Sequence, residues 1–160
     1  MRKPLVIFTA LLACACSESR EALPTSQVVK WTATPTAVRN TSDGSVMDVE
    51  LRADVESGWK LYSLTQQGGG PTPMSVRLAD SANYRFDGSI IGPQPVRSMD
   101  PNFNLETETY AGTPVFRMSV KVPKDAKSVD LKVRSQACSD RLCLPARTTT
   151  VTVDPAKAGS

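Results

Sequence analysis

The sequence has no histidine, and only four of its 160 residues are cysteines. Cys14 and Cys16 lie near the N-terminus, so the body of the chain holds only Cys138 and Cys143, with four residues between them. Without histidine, no imidazole can act as a base or as a metal ligand. We therefore expect any chemistry of this protein to pass through Cys138 and Cys143.

The same shortage of ligands argues against a metal site. Structural zinc takes four ligands, commonly cysteine or histidine, and a zinc site here would need carboxylates such as Asp140. Copper(I) could use both body cysteines and a methionine, although methionines in a sandwich are commonly core filler. The methionines in question are Met47, Met74, Met99 and Met118. We predict no metal and no cofactor.

Long apolar runs are absent apart from one near the N-terminus. Residues 4–12 follow Arg2 and Lys3 and have the length of a signal-peptide core, well short of the about 20 residues that span a bilayer. Residues 1–16 are therefore predicted to be a lipoprotein-type signal peptide and anchor. The expected location is the periplasm or cell envelope, where disulfides form and persist.

The residue that carries the lipid can be read in two ways. Residues 11–14 (LLAC) fit a lipobox with Cys14 as the lipidated residue, and Cys16 is the alternative. Ordinary secretory cleavage after Ala15 is a third interpretation. Since no later segment is apolar enough to span a bilayer, attachment to a membrane is expected to use acyl chains.

An excess of either charge is also missing. The chain has 19 basic and 16 acidic side chains, and without Arg2 and Lys3 the basic count is 17. A nucleic-acid binder would show a basic stripe, and a lipid-surface protein a polybasic patch. Neither pattern is present, so we predict no nucleic-acid partner.

The rest of the chain is predicted to be one domain. Residues 17–26 read as a flexible tether, residues 27–153 as the domain, and residues 154–160 as a disordered tail. Twelve prolines and nine glycines, without a helical stripe, argue against helices longer than a turn or two.

Alternation with a period of two predicts strands. It is strict in residues 49–55, 116–122, 129–134 and 150–153, and weaker in residues 27–34, 59–63, 74–79 and 84–91. The pattern predicts an all-β fold, with seven or eight antiparallel strands in a two-sheet sandwich.

The two body cysteines are either a structural staple or a reversible redox pair. Closing so small a loop stabilises a fold by roughly 2 kcal/mol, which a domain of this size can lose. Small structural bridges are nevertheless common in secreted domains. For a reactive thiolate, Arg134 and Arg141 would supply favourable charge, and Asp140 would oppose it.

Several segments together resemble one known family, the N-terminal periplasmic domain of the thiol–disulfide interchange protein DsbD. Residues 136–138 (QAC) with 143–145 (CLP) are similar to its "YQ-x-C…C-x-P" segment, and residues 58–62 (GWKLY) to its G-aromatic-x-L/I-Y strand. Residues 71–78 (PTPMSVRL) and 110–112 (YAG) also fit its order. The resemblance covers about residues 27–153.

The resemblance implies an immunoglobulin-like antiparallel β-sandwich with a disulfide at one end. It implies electron relay between a membrane thiol transporter and thioredoxin-like periplasmic proteins, with Cys143 attacking and Cys138 resolving. The competing interpretation is a non-catalytic, lipid-anchored binding module of the same fold, with a structural disulfide.

The family also carries an aromatic cap loop over the cysteine pair. Here the cap is expected within residues 99–112, with Phe103 or Tyr110 as the shield. Tyr62 is expected to flank the pair, together with Asp140 and Arg141 between the cysteines. For each aromatic residue, ordinary packing is the alternative.

Three departures from the family pattern stand out. Ser135 replaces the motif tyrosine, the cysteines are closer together than in the best-known members, and the chain ends after the domain. The redox partners are therefore expected to be separate proteins, and the chain is expected to be a monomer.

Overall fold

The computed structural model describes residues 25–159, which form a strand-rich fold with very little helix. The predicted signal peptide, with Cys14 and Cys16, and most of the predicted tether lie outside the described residues. No helix within residues 25–159 is long and apolar enough to cross a membrane. The elements, in chain order, are α1 (Thr25–Val28), β1 (Val29–Thr41), β2 (Gly44–Val55), β3 (Lys60–Tyr62), β4 (Ser75–Leu78), β5 (Arg85–Phe86), β6 (Val96–Asp100), β7 (Leu105–Tyr110), β8 (Val115–Val122), β9 (Val129–Ser135), β10 (Ala137–Cys138), β11 (Arg147–Val153) and a 3-10 helix (Pro155–Lys157).

The strands form three antiparallel sheets. Their orders are β1-β2-β8-β5, β11-β9-β4 and β10-β3-β7-β6. The third sheet contains Cys138, and we call it the site sheet. The prediction of an all-β antiparallel sandwich is confirmed.

The main core lies between the first two sheets, and its side chains come from the alternating positions that the sequence marks. The register of β2 and β8 places three buried residues of one strand opposite three of the other. These pairs are Met47 with Val120, Val49 with Met118, and Leu51 with Phe116. Residues of β4, β9 and β11 complete the cluster, so the period-two pattern and the burial agree.

A second apolar cluster supports the cysteine segment. Leu61 of β3, Ala137 of β10 and Leu144 are fully buried and pack with residues of α1, β1 and β2. The hydroxyl of Thr25 donates to the carbonyl of Pro145 at 2.8 Å. The start of the described chain is therefore fixed beside the cysteine segment.

Strands β6, β7 and β10 were not predicted and bring the number of strands within residues 25–159 to eleven. β10 has two residues, too few to show alternation. β6 is exposed at four of its five positions, so it has no apolar face to alternate. The region expected to be a cap loop is consequently a hairpin, β6–β7.

The ends of the described chain are more ordered than the sequence suggests. Thr25, the ninth residue of the predicted tether, is buried in α1. In the tail, the carboxylate of Asp154 accepts from the amide of Ala156 at 2.9 Å, and Pro155 opens a 3-10 helix. This cap and proline give residues 155–157 a local structure where a disordered tail was expected.

Two leucines on either side of Cys143 provide a matched stability test. Leu144 is fully buried and Leu142 is 47% exposed. We expect Leu144→Ala to lower the free energy of unfolding by about 2–5 kcal/mol, because it leaves a cavity. Leu142→Ala is expected to change it by about 0.5 kcal/mol at most. Urea unfolding measures both, and equal losses would contradict the assigned burial.

Candidate redox site

Cys138 and Cys143 form a disulfide within a narrow hairpin. The amide after Cys138 donates to the carbonyl before Cys143 at 2.8 Å, and the amide after Cys143 donates to the carbonyl before Cys138 at 2.9 Å. The cysteines thus face each other at a non-hydrogen-bonded position, where antiparallel strands bring side chains closest. Two backbone hydrogen bonds therefore hold the cysteines opposite each other, in addition to the S–S bond.

The two cysteines differ in accessibility. Cys138 is fully buried on β10, whereas Cys143 is partly exposed. The hydroxyl of Ser139 accepts from the amides of Arg141 and Leu142, at 3.3 and 3.1 Å, and orders the turn between the cysteines. A molecule in solution can therefore approach Cys143 and not Cys138.

Tyr62 lies against the partly exposed cysteine. Its hydroxyl is 3.8 Å from the sulfur of Cys143 and donates to the carboxylate of Asp100 at 2.8 Å. Both Tyr62 and Asp100 are fully buried. Because the single phenolic proton is used on Asp100, the phenolic oxygen is free to accept from a thiol when the disulfide is reduced.

The pKa values of Tyr62 and Asp100 shift in opposite directions. Burial, and then the hydrogen bond to Asp100, raise the pKa of Tyr62 far above its usual range. For Asp100, burial opposes ionisation, but hydrogen bonds from Tyr62 and Asn102, with the charge of Lys60, hold its pKa below the usual range. The pair is therefore a neutral tyrosine and a buried carboxylate.

Lys60 adds a cation to this group. Its ammonium is 3.6 Å from the carboxylate of Asp100 and 3.5 Å from that of Asp140. Lys60 also pairs directly with Cys138 across β3 and β10. It therefore bridges the buried carboxylate and the turn between the cysteines.

Residues 100–104 join β6 to β7, and we call them the cap turn. Asp100 accepts from the amide of Asn102 at 2.9 Å, and Asn104 has a positive φ of 52°, which asparagine tolerates. The side chain of Asn102 donates to the carbonyl of Ser139 at 2.9 Å. Phe103 packs edge-on against Tyr62, with ring centroids 5.9 Å apart. The cap turn thus contacts both the cysteine hairpin and the tyrosine beside it.

The family described as "Thiol:disulfide interchange protein DsbD, N-terminal" matches residues 28–155. The chain belongs to this family. The match confirms the resemblance seen in the cysteine segment and in the strand that carries Tyr62. Together with the disulfide, membership in the DsbD N-terminal family indicates thiol–disulfide chemistry. No curated protein matches the chain.

Two solved structures share the fold. The N-terminal periplasmic domain of ScsB from Proteus mirabilis matches with a TM-score of 0.61 and 18% identity, covering 86% of this chain and 51% of that one. The chain thus spans about half the length of that domain. The DsbD N-terminal domain of Neisseria meningitidis, in the reduced form, matches with a TM-score of 0.55 and 13% identity, covering 83% and 90%. These likenesses establish the immunoglobulin-like sandwich.

The structure brings only some of the predicted site residues together. Tyr62 lies beside the disulfide and Phe103 packs on Tyr62, whereas Tyr110 packs in the main core, with its ring centroid 5.2 Å from that of Phe116. Asp140 and Arg141 are exposed in the turn between the cysteines. The four methionines considered for copper do not lie in one place. Met47, Met74 and Met118 are buried in the main core, and Met99 is exposed on β6.

Lys60, Asp100 and Asn102 were missed as site residues. Lys60 is two positions from Tyr62, so the period of two places both on one face of β3. The Asp-Pro-Asn sequence at 100–102 is typical of a turn in which aspartate bonds an amide two residues on. What the sequence could not give is that this turn lies against the cysteine hairpin.

The lowered pKa of Asp100 predicts an acid-sensitive contribution to stability. The stabilisation that ionised Asp100 gives to the folded protein is complete above the ordinary aspartate pKa of about 3.9. It is lost as the pH falls through the lower pKa that Asp100 has in the folded protein. We expect Asp100→Asn to destabilise the fold at pH 7 by about 1–3 kcal/mol and to reduce the loss of stability on acidification.

Urea unfolding of both proteins as a function of pH measures this effect. Asp125→Asn, in an exposed turn, is the matched control and should follow the wild type. An Asp100→Asn protein with the same pH dependence as the wild type would contradict the assigned ionisation.

Proposed function

We propose that the protein is an extracytoplasmic thiol–disulfide exchange module, which relays electrons between a membrane thiol transporter and thioredoxin-like periplasmic proteins. One observation carries the proposal: the disulfide joins a buried and an accessible cysteine in a hairpin that two backbone hydrogen bonds also close. The matched ScsB domain is described as periplasmic, which supports the same location. A lipid anchor at Cys14 or Cys16 and a monomeric state complete the proposal.

The first half-reaction reduces the pair. A thiolate of the donor attacks the sulfur of Cys143, the S–S bond breaks, and Cys138 leaves as a thiolate that takes up a proton. The donor's second thiolate then attacks the donor sulfur of the mixed disulfide and releases Cys143. The donor becomes a disulfide, and its two electrons remain on the cysteine pair.

The second half-reaction passes the electrons on. The thiolate of Cys143 attacks the acceptor's disulfide, forms a mixed disulfide and expels one acceptor thiolate. Cys138 loses its proton and attacks the sulfur of Cys143, which restores the original disulfide and expels the second acceptor thiolate. With two protons the acceptor leaves as a dithiol.

The surroundings of Cys143 support its role as the attacking residue. Its partial exposure gives access, and the fixed hairpin keeps Cys138 within reach to resolve the mixed disulfide. Phe103, packed on Tyr62, is the shield in this proposal. Asn102 ties the cap turn to the hairpin, so a partner that displaces the cap turn must break this hydrogen bond and the one from Tyr62 to Asp100.

A redox titration of the purified protein tests the proposal. With glutathione or dithiothreitol buffers and thiol trapping, we expect a reduction potential between about −180 and −270 mV, in the range of known exchange proteins. Circular dichroism should show the same fold in both states. The matched Neisseria domain, which is in the reduced form, supports this expectation.

The alternative is a binding module with a permanent bridge. That function would give a potential below about −300 mV, or unfolding upon reduction. Either result would reject the relay and assign the disulfide a structural role.

Single-cysteine variants test the roles of the two sulfurs. With a single-cysteine thioredoxin variant activated as its thionitrobenzoate mixed disulfide, Cys138→Ala should accumulate a stable covalent adduct through Cys143, because neither protein retains a resolving thiol. Cys143→Ala should form the adduct at least about tenfold more slowly, since Cys138 is buried. Non-reducing electrophoresis shows the adduct. Faster reaction of the Cys143→Ala protein would reverse the assignment.

A further inference from the structure

The position of Lys60 gives its charge a function that the exchange chemistry alone does not assign. Lys60 lies directly opposite Cys138 in the antiparallel pair of β3 and β10. Side chains at such paired positions point to the same face, with Cβ atoms about 4.5–5.5 Å apart. The lysine stem therefore begins beside the cysteine pair.

The ammonium of Lys60 lies near two carboxylates that differ in their exposure to solvent. Asp100 is fully buried, whereas the side chain of Asp140 is 87% exposed. The side chain of Lys60 is itself only 17% exposed. Charge interactions in such a site are screened less than those at the surface, so the pairing of Lys60 with Asp100 dominates over that with Asp140.

Lys60 is one of three residues that favour the charged form of Asp100. Hydrogen bonds from Tyr62 and Asn102 hold the carboxylate ionised ahead of the contribution of Lys60. Without the lysine, a buried negative charge would remain one hydrogen bond away from the tyrosine that contacts Cys143. Like charges disfavour each other, so this charge would oppose a thiolate there.

The exchange steps require that thiolate. Among the described residues, the contacts around the cysteine pair involve the charged or titratable groups of Lys60, Asp100, Asp140 and Tyr62, and Arg141 lies in the turn between the cysteines. Tyr62 is neutral, and Arg141 is an exposed residue of the turn. Lys60 is therefore the partly buried cation among them.

We propose that Lys60 is an electrostatic positioning residue, which offsets the buried charge of Asp100 and thereby raises the thiolate fraction of Cys143 in the reduced protein. The inference rests on the proposed exchange function and adds to it the group that sets the reactivity of the attacking sulfur. It involves no direct contact between Lys60 and a partner.

The test measures the rate of alkylation of Cys143 against pH in the reduced, purified protein, with peptide mass spectrometry to identify the residue. For Lys60→Met, we expect the midpoint of the profile to rise by about one pH unit, and the rate below the midpoint to fall about tenfold. The rate on the high-pH plateau should not change, since it reports access to a fully ionised thiol. Lys60→Arg should restore the midpoint.

Arg141→Met is the matched control, because it removes an exposed cation from the turn between the cysteines. Its midpoint should shift by less than half as much. If Lys60→Met does not fold, Lys60→Gln removes the same charge. An unchanged midpoint in these variants, a Lys60→Arg protein that behaves like Lys60→Met, or an equal shift in Arg141→Met would overturn the inference.

The reduction potential of the wild type, measured on the same preparation, separates the two proposals. A potential typical of a structural bridge rejects the exchange function and, with it, the role of Lys60 in that function. If the reduction potential lies in the exchange range but the midpoint of the alkylation profile is the same with and without the charge of Lys60, only the present inference is rejected.

Discussion

The pair of backbone hydrogen bonds on either side of the disulfide is the constraint on which the site depends. These bonds fix Cys138 and Cys143 opposite each other. The buried Ala137 and Leu144 attach the hairpin to the second apolar cluster. Apolar burial stabilises the attachment whether or not the sulfurs are joined. In the proposed exchange function, this frame is what would let the disulfide be made and broken without unfolding the domain.

The electrostatics of the site follow from a second constraint, the burial of Asp100. A carboxylate removed from water requires compensation, and here the compensation comes from Tyr62, Asn102 and Lys60. Each of these partners also contacts or pairs with a part of the cysteine hairpin. The charge state of one buried acid is thus linked to the hairpin through three separate side chains.

Much of this architecture is visible in the sequence, for identifiable reasons. The eight alternating runs correspond to β1–β5, β8, β9 and β11, because each strand has side chains that pack against one of the two apolar clusters. The cysteine pair and Tyr62 were found through local motifs.

The other features were missed because they depend on contacts between distant parts of the chain. β6 is exposed at four of its five positions, so its sequence shows no buried face. It is a strand because it forms an antiparallel pair with β7. Lys60 and Asp100 are 40 positions apart and meet only because β6 and β7 place the cap turn beside β3. A short-range pattern carries no information about such a meeting.

The hydrogen bond between Thr25 and Pro145 has a consequence for how the molecule is oriented. Because the chain enters the domain two residues from Cys143, anything attached ahead of Thr25 pulls on the end of the sandwich that carries the sulfurs. Immobilised through its N-terminus, the domain would present that end to the support and its opposite end to the bulk solution.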